Sequence, residues 1–286
     1  MISKYGIFCE VIKIGNFTRV AEIFGYSQSA ISQSIKGLES ELGFTLIDRR
    51  KDGIRLTKDG EQFYPYILSV YNAEKELMQK TKEMSGMVNN TIMIGTFTGV
   101  SRSFLPRIMQ LFKQKYPDVN FVLKQGEYSN IEEWIKDGSI DFGFVNQDAV
   151  AGIETHFLYD EEMKAVLPMD HGWKQKDEIS LKELMATPFI LLDEGSYSVP
   201  MKTCQEYGVE FNPAYKVYDD YTILSMVKQN IGVSLLYESV LDGFSDGIST
   251  LPVREKPKRK VALAWRNYST LSFAAKEFID FIKKNI

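Results

Sequence analysis

Cysteine and histidine are scarce in this chain of 286 residues. The two cysteines, Cys9 and Cys204, are too few for a disulfide framework. The two histidines, His156 and His171, stand apart and do not form a metal-ligand spacing such as H-x-x-x-H. The sequence therefore predicts neither a disulfide-stabilised fold nor a histidine metal site, and we expect no metal and no cofactor.

Long apolar runs are missing as well. No segment approaches the ~20 apolar residues of a membrane span, and the first residues lack the charged-then-apolar pattern of an export signal. We therefore expect a cytoplasmic protein with no membrane partner. Hydrophobic residues still make up 44% of the chain, enough to fill real cores, and the length suits two or three domains.

Positive charge is also limited, since the formal net charge is −4. That balance argues against a nucleic-acid partner unless the basic residues are concentrated in one place. They are concentrated at residues 49–55, which contain three arginines and a lysine. Binding to phosphates would then depend on few residues, and one such site alone would bind weakly.

Residues 25–39, GYSQSAISQSIKGLE, combine an apolar stripe with a polar face. Read as a helix, the stripe is Ile31, Ile35 and Leu38, which follow the i, i+4 and i+7 spacing of one buried face. Ser27 stands at the N-cap position. The other face is rich in serine and glutamine, and a glutamine amide matches the N6/N7 edge of adenine in the major groove. The segment reads either as a DNA-reading helix or as an ordinary solvated face.

Two apolar patterns precede this segment and favour the first reading. Residues 16–24 predict a helix that turns Val20, Ile23 and Phe24 inward, and residues 3–14 predict an earlier helix. The short turn between the second and third helices has the length expected in a helix-turn-helix. Three short helices around one core, with the third polar outward, are what a DNA-binding domain needs.

The basic stretch at 49–55 surrounds an Asp-Gly pair that favours a tight hairpin turn. We predict a hairpin whose cations hold phosphates, while the third helix reads bases through Gln28, Ser32 and Gln33. The complete predicted DNA-binding set is Thr18, Gln28, Ser29, Ser32, Gln33, Lys36, Arg49, Arg50, Lys51 and Arg55.

Residues 1–60 resemble the winged helix-turn-helix of LysR-type transcriptional regulators. The residues that carry the resemblance, in order and spacing, are Phe17, Thr18, Ala21, Gly25, Tyr26, Ser27, Gln28, Ser29, Ala30, Ile31, Ser32, Ile35, Leu38, Glu39, Leu42, Gly43, Arg49, Leu56, Thr57 and Gly60. The sequence departs from the family pattern at Gln33-Ser34, where arginine followed by glutamine is frequent, and at Val20, where alanine is usual. The resemblance implies double-stranded DNA as a partner.

The resemblance also implies an α/β multidomain fold. We expect a winged helix-turn-helix DNA-binding domain at 1–57, a linker helix and hinge at 58–89, and an effector-binding domain at 90–286. Beyond residue 90, predicted strands and helices alternate, which calls for parallel sheets covered on both faces. By resemblance this domain is periplasmic-binding-protein-like, with two α/β lobes. Their expected bounds are 90–160 with 267–286 for lobe I, and 161–266 for lobe II.

Residues 57–84 predict one long helix with a heptad seam. The seam residues are Phe63, Ile67, Val70 and Leu77, spaced as on the contact face of a coiled coil. We predict that this seam pairs two chains, the alternative being a helix that packs on its own domain. A dimer of dimers, hence a homotetramer, is the expected assembly on DNA.

Ligands of such α/β lobes sit at the carboxyl ends of strands, where helix N-termini point. Residues 95–103, GTFTGVSRS, offer hydroxyls and free N–H groups there and predict a bound anion, with simple helix capping as the alternative. The predicted effector-binding residues are Thr96, Thr98, Gly99 and Ser101 and, by family position, Tyr128, Asn146, Asp193, Ser196, Tyr197, Tyr221 and Thr222. Asp193 and Asp220 would repel an anion, so they are expected to contact an amine or hydroxyl, or to cap.

Other classes of protein fit the sequence less well. An enzyme is not expected, because residues 95–99 lack the lysine of a phosphate loop and the adjacent acidic pairs read as solvated. A solute-binding protein and a redox sensor centred on Cys204 remain alternatives, although a buried structural thiol is favoured. We therefore predict a ligand-responsive regulator that binds promoter inverted repeats, with RNA polymerase as a further partner. The sequence leaves the effector, the target genes and the sign of regulation open.

Overall fold

The computed structural model describes residues 2–50, 53–84, 91–243 and 246–286, with the side chains of all of these but 49, 50, 79, 82–84 and 174. The chain forms two compact units, Met1–Asn89 and Asn90–Ile286, called here the N-terminal unit and the effector unit. The hinge predicted at 85–90 lies outside the described residues. None of the described helices is long and apolar enough to cross a membrane.

The N-terminal unit has the predicted helix order followed by a hairpin. Its elements are α1 (Lys4–Ile14), α2 (Phe17–Phe24), α3 (Gln28–Leu42), β1 (Ile47–Arg50), β2 (Gly53–Leu56) and α4 (Lys58–Met84). Ser27 caps α3 as predicted, because its side chain accepts a hydrogen bond from the N–H of Ala30 at 3.1 Å. Gly25 ends α2 at a φ of 70°, a left-handed conformation that glycine adopts without steric cost.

One apolar core joins these elements. Ile31, Ile35 and Leu38 are fully buried in it, which confirms the predicted stripe of α3. Val20 of α2 is buried as well, but Ile23 is 57% exposed, so its predicted inward position is wrong. The buried face of α2 is centred on Phe17, Val20 and Ala21, and Ile23 lies beyond the edge of that face.

The hairpin is fixed to α3 by Glu39. The carboxylate Oε1 of Glu39 accepts hydrogen bonds from the N–H groups of Leu46 at 2.8 Å and Ile47 at 3.1 Å. Charge-assisted bonds of this kind are stronger than neutral ones. Strands β1 and β2 then pair antiparallel, from Ile47 opposite Leu56 to Arg50 opposite Gly53. The hairpin, or wing, therefore holds a fixed position beside α3.

Helix α4 packs along the core of its own unit. Ile67 is 4% exposed in that core and Phe63 packs against it. The prediction that Ile67 belongs to a seam between chains is therefore wrong, whereas Phe63 is half-buried and its place in the seam stays a prediction. An apolar period shows that one helix face is buried, but it does not show whether the covering surface belongs to the same chain.

A second apolar face of α4 remains exposed. It consists of Tyr66, Val70, Ala73 and Leu77, spaced four, three and four residues apart, and is called here the exposed stripe. Tyr66 is 73% exposed, Val70 43% and Leu77 63%. Two of the predicted seam residues, Val70 and Leu77, thus belong to a face that is free of the unit's own core.

The effector unit alternates strands and helices as predicted. Its strands are β3 (Thr91–Thr96), β4 (Asn120–Gln125), β5 (Phe142–Asn146), β6 (Glu154–Pro168), β7 (Phe189–Leu192), β8 (Tyr215–Val217), β9 (Val233–Tyr237), β10 (Ile248–Pro252) and β11 (Lys258–Trp265). Its helices are α5 (Thr98–Arg102), α6 (Leu105–Lys115), α7 (Tyr128–Lys136), α8 (Leu181–Met185), α9 (Val199–Glu206), α10 (Asp220–Lys228), α11 (Glu238–Leu241) and α12 (Phe273–Asn285). The first half of β6, together with β10 and α11, was not predicted.

The strands follow the order β4-β3-β5-β11-β6-β9-β7-β8, with β10 paired to β6. Strand β3 is parallel to β4 and β5, and β7 is parallel to β8 and β9, as expected of α/β lobes. Strands β6 and β11 run antiparallel to their neighbours, so the expectation of parallel sheets is wrong for them. The reason is that both strands connect the lobes, and the return strand has to run opposite to the outgoing one.

Two separate apolar cores define the lobes. The lobe I core includes Val261–Trp265 of β11, and residues 261–264 pair with β5 of the same lobe. The predicted boundary at residue 267 is therefore too late, because lobe I resumes within β11. Helix α12 then completes lobe I, as the resemblance implied.

Candidate functional site

The N-terminal unit presents a polar face on α3. Of the predicted DNA-binding residues, those that the structure leaves exposed are Thr18, Gln28, Ser29, Gln33, Lys36 and Arg55, and Ser32 is half-buried. The serines are short, so the helix backbone can approach another surface closely, and the glutamine amides offer both a donor and an acceptor. This face fits the major groove of DNA.

The wing carries the basic residues that were expected to hold phosphates. Arg49 and Arg50 lie on β1, but their side chains lie outside the described residues, as does the whole of Lys51. Arg55 of β2 is exposed and stands opposite Asp48 in the ladder. The phosphate contacts therefore remain a prediction, supported by the wing's fixed position beside α3.

The effector unit contains a cleft of about 220 Å³ where strands of both lobes end. The lining residues are Phe97, Thr98, Gly99, Gln125, Gly126, Glu127, Tyr128, Leu192, Asp193, Glu194, Tyr218, Asp219, Asp220, Tyr237, Val240 and Arg259. They follow β3 and β4 in lobe I and β7, β8 and β9 in lobe II, with Arg259 supplied by β11. The carboxyl ends of parallel strands are where such sheets hold ligands.

Arg259 lines the cleft although its side chain is only 3% exposed. Its Nε donates a hydrogen bond to Oε2 of Glu161 at 2.8 Å, and the two residues stand opposite each other on β11 and β6. The guanidinium carbon lies 3.6 Å from the ring centre of Tyr237 and 4.1 Å from that of Phe97. The cation is thus enclosed by aromatic faces and balanced by a buried carboxylate.

Glu194 connects the two lobes across the cleft. Its Oε1 accepts from the hydroxyl of Tyr128 in lobe I at 2.8 Å, and its Oε2 accepts from Tyr237 in lobe II at 3.0 Å. The Tyr128 hydroxyl in turn accepts from Nη1 of Arg259 at 2.9 Å. Burial raises the pKa of Glu194 to about 7, against the opposing effects of Arg259 and the two tyrosines. Near neutral pH this carboxyl is therefore divided between its charged and neutral forms.

Asp220 opens α10 and is 6% exposed. Its Oδ1 has no hydrogen-bond partner among the described residues. Burial raises the pKa of Asp220, and a hydrogen bond from Thr98 acts in the opposite direction. Nearby, a Cβ on Gly99 would come within 2.4 Å of the Ser239 hydroxyl and 2.5 Å of Nη2 of Arg259, so this close approach requires glycine.

The predicted effector residues divide into those that line the cleft and those that support it. Thr98, Gly99, Tyr128 and Asp193 line it. The other predicted residues of lobe I form hydrogen bonds within the protein.

Thr96 is fully buried, and its hydroxyl faces the carbonyl of the next residue at 3.3 Å. The Ser101 hydroxyl donates to a carbonyl in its own helix at 3.1 Å and accepts from Gln125 at 2.7 Å. Asn146 is buried at the end of β5, where its Oδ1 accepts from two backbone N–H groups at 3.2 and 3.3 Å. These side chains shape the turns around the cleft rather than its surface.

The predicted lobe II residues outside the cleft lining are either exposed or engaged elsewhere. Ser196 is exposed, and Tyr197 accepts from a lysine of α9 at 3.3 Å. The ring of Tyr221 lies 4.4 Å from the guanidinium of an arginine in lobe I. Thr222 donates its N–H and its hydroxyl to the carboxylate that caps α10, both at 2.8 Å.

Sequence reasoning does not find Glu194, Tyr237 or Arg259 as effector-site residues. A signal for Arg259 exists in the run KRKVALAW, because strand alternation places it on the same face as the buried Val261 while its two lysine neighbours are exposed. An arginine on a buried strand face needs a carboxylate partner. That partner, Glu161, is distant in sequence and could not be assigned from the chain alone.

The cysteines offer no reactive thiol in the structure. Cys9 and Cys204 are both buried and lie in different units. Burial raises the pKa of Cys9 to about 12 and that of Cys204 to about 11. Both thiols therefore stay protonated at neutral pH, which disfavours the redox-sensor alternative.

Two known protein families match the chain, one in each unit. Residues 2–61 match the bacterial regulatory helix-turn-helix protein, lysR family, and residues 85–286 match the LysR substrate binding domain. The chain belongs to the LysR family. This LysR-family member is a DNA-binding transcriptional regulator that joins a helix-turn-helix domain to a substrate-binding domain.

Individual relatives agree with this assignment over nearly the whole chain. The HTH-type transcriptional regulator YvbU of Bacillus subtilis (strain 168) is 31% identical over 286 residues, which cover 99% of this chain and 98% of YvbU. The transcriptional dual regulator GltC of the same organism is 27% identical over 260 residues, covering 89% of this chain and 87% of GltC.

Solved structures show the same fold. A full-length cysteine-to-aspartate variant of OxyR from Pseudomonas aeruginosa superposes with a TM-score of 0.75 at 22% identity, covering 99% of this chain and 93% of OxyR. Full-length CbnR in complex with its target DNA superposes with a TM-score of 0.65 at 19% identity, covering 99% of both chains. At these identities the likeness concerns the fold alone.

Proposed function

We propose that this LysR-family regulator binds an inverted-repeat promoter site as a dimer of dimers and responds to a small metabolite held in the effector cleft. The metabolite changes how the N-terminal units are arranged on the DNA. The proposed role is regulatory rather than catalytic and needs no resident cofactor. It is exercised in the cytoplasm, where promoter DNA lies, and involves RNA polymerase as a further partner.

The observation that carries the DNA-binding part is the polar, exposed face of α3 on a fixed scaffold. Gln28 and Gln33 project from a helix whose opposite side is locked in the core by Ile31 and Ile35. A base-reading side chain needs such a rigid support, because bidentate hydrogen bonds tolerate little misplacement. The wing, held by Glu39, supports phosphate contacts beside that helix.

The exposed stripe of α4 supports the pairing of two chains. Tyr66, Val70, Ala73 and Leu77 form a continuous apolar face that the N-terminal unit itself does not cover. Burying such a face against a second copy removes apolar surface from water. Two N-terminal units on one duplex then raise the affinity through effective concentration.

The cleft supports the effector-response part. Its lining comes from both lobes, and Glu194 already holds them through Tyr128 and Tyr237. A ligand that contacts both lobes favours the arrangement in which it binds best, and its binding energy is the only source of such a shift. Effector binding in the cleft could therefore change the arrangement of the two lobes.

The test is to select a preferred site from random-sequence duplexes with the full-length protein and then titrate that site by fluorescence anisotropy. Gln33→Ala should lose discrimination at one base step, about 1–3 kcal/mol. Arg55→Ala should weaken all duplexes alike and lower the salt slope by about one unit, because it removes one phosphate contact.

A matched control is Gln110→Ala, which makes the same chemical change at an exposed position of α6. It should bind every duplex like the unmodified protein. The proposal that α3 reads bases while the wing holds phosphates is wrong if Gln33→Ala and Arg55→Ala give the same sequence-independent loss of DNA affinity. An equal loss in the Gln110→Ala control would show that the loss in Gln33→Ala is not specific to the face of α3.

A further inference from the structure

The charge of the cleft lining is predominantly negative. Its acidic residues are Glu127, Asp193, Glu194, Asp219 and Asp220, and its basic residue is Arg259. Arg259 is already balanced by Glu161, whose Oε2 lies 2.7 Å from Nη2 and which does not line the cleft. Nη2 of Arg259 makes no hydrogen bond among the described residues, and Asp193 pairs with Lys216 at 3.0 Å. A bound anion would still face the carboxylates of Glu127, Asp219 and Asp220 with Arg259 as the cation of the described lining, so the lining favours a cation over the anion predicted at residues 96–101.

Asp220 adds a more specific signal than charge alone. Its Oδ1 is a buried acceptor without a hydrogen-bond partner among the described residues, in a side chain that lines the cleft. Leaving such an acceptor unsatisfied is unfavourable, and a donor on a ligand would relieve the cost. Asp219 differs, because its carboxylate is occupied in capping α10.

An aromatic ring lies among the same carboxylates. Tyr218 lines the cleft and is 61% exposed, so its ring is accessible. Burial and the neighbouring Glu127, Asp193 and Asp220 together raise the pKa of its hydroxyl. An aromatic face beside carboxylates is suited to recognising an organic cation.

The alternatives to an organic cation are a metal ion and a neutral polar ligand. Across the described part of the chain, no three His, Cys, Asp or Glu side chains converge closely enough to hold a metal. A cavity of about 220 Å³ is also smaller than the roughly 300–1,000 Å³ usual for drug-sized ligands. A small ammonium compound needs only one or two acceptors, and Asp220 provides one.

We propose that the effector of this regulator is a small molecule with a protonated amine, which donates to Oδ1 of Asp220 and is balanced by the acidic lining of the cleft. This inference rests on the proposed function, in which the cleft is the effector site. The remaining lining then sets selectivity, because the lobe-connecting Glu194 and the ring of Tyr218 border the same space.

The experiment is calorimetric titration of the full-length protein with putrescine, aminobutanol, butanediol and succinate. These probes share a four-carbon chain and differ in charge from positive through neutral to negative. The two amines should bind about 10- to 100-fold tighter than butanediol, as expected for a hydrogen bond to a charged group, and succinate should bind weakest.

Asp220→Asn keeps the shape of the side chain and removes its charge. It should lower putrescine affinity about 10-fold or more while leaving butanediol affinity unchanged. Asp118→Asn makes the same change at an exposed position of lobe I and should behave like the unmodified protein. Glu127→Gln is a second cleft variant, at a less buried carboxylate, and should also lower the affinity for putrescine.

The inference is overturned if succinate binds more tightly than putrescine, or if the amines bind no better than butanediol at millimolar concentration. Unchanged putrescine affinity in both cleft variants would also overturn it. Parallel DNA titrations separate this inference from the proposed function. If the protein binds DNA specifically but prefers succinate, the proposal of an amine effector is wrong and the proposed function stands. If the protein binds the amines but no specific DNA site, the proposed regulatory function is wrong and the amine site stands.

Discussion

The N-terminal unit and the effector cleft hold their polar residues in opposite ways. On α3, Gln28 and Gln33 project into solvent from a helix that is stabilised by its other face. In the cleft, Glu194 and Arg259 are buried, and each charge is stabilised by its neighbours, including Glu161 behind the lining. On the DNA-binding face, a substitution can therefore change binding without changing the stability of the fold. In the cleft, the same side chains serve both binding and stability.

Arg259→Met should give the largest effect on folding. The change leaves the carboxylate of Glu161 buried at 5% exposure without its cation, which costs about 3–5 kcal/mol in comparable buried pairs. The measurement is urea unfolding followed by tryptophan fluorescence. Trp134, Trp173 and Trp265 all lie in the effector unit, so the signal reports that unit alone.

The neighbouring lysine provides the control. Lys258 pairs with Asp160 at 2.6 Å but is 49% exposed, so Lys258→Met should cost less than about 1 kcal/mol. Similar losses in the two variants would show that burial does not distinguish the two ion pairs. Arg259→Met combined with Glu161→Met should recover much of the stability, because apolar replacement of both partners of a buried pair is often neutral.

Glu194→Gln should give the next largest effect, on the pH dependence of stability. A raised pKa means that folding favours the neutral carboxyl, so its contribution is complete below about pH 4.5 and is lost as pH rises through about 7. We expect the unmodified effector unit to lose roughly 2–3 kcal/mol over this range through Glu194. Glutamine has no proton to lose, so the variant should show a flatter profile.

The measurement is urea unfolding across that pH range with the same fluorescence signal. A residual slope should persist in the variant, because burial also raises the pKa of Asp141 to about 6 and acts in the same direction. Glu206→Gln, at an exposed position of α9, should keep the slope of the unmodified protein. An unchanged slope in Glu194→Gln would show that this carboxyl titrates like a solvated one.

The smallest effect on folding is expected at the exposed stripe. Val70→Asp with Leu77→Asp places charges on a face that the N-terminal unit does not cover, so helical content by circular dichroism should be unchanged. The oligomer should nevertheless become smaller by light scattering, because buried charges oppose pairing. An unchanged oligomer would remove the exposed stripe from the interface between chains.

Local features of the N-terminal unit could be predicted from the sequence. The stripe of Ile31, Ile35 and Leu38, the cap at Ser27 and the hairpin each depend on neighbouring residues and fixed spacing. The errors arose where the partner surface mattered. Phe63 and Ile67 have a seam-like period, but Ile67 is buried in the core of its own unit and Phe63 packs against that core.

In the effector unit, the alternation of strands and helices could be predicted, because apolar runs such as that of β7 stand between polar or turn-forming residues. The first half of β6 was missed because its residues are mostly polar and exposed, so they show no apolar pattern. The cleft itself was only partly predicted. Cleft residues next to strand ends could be predicted. The contacts of Arg259 with Glu161 and Glu194 could not, because they join segments that are distant in sequence.

The return of the chain to lobe I has a consequence for biosynthesis. Strand β11 lies between β5 and β6, and Phe278 of α12 is fully buried in lobe I. A ribosome making the chain therefore completes the DNA-binding unit first, ahead of lobe I by roughly 10–40 s at usual elongation rates. An mRNA cut short before residue 258 would encode a complete N-terminal unit with an unfinished lobe I. We therefore expect such a fragment to keep the polar face of α3 but to lack Arg259 and a complete cleft.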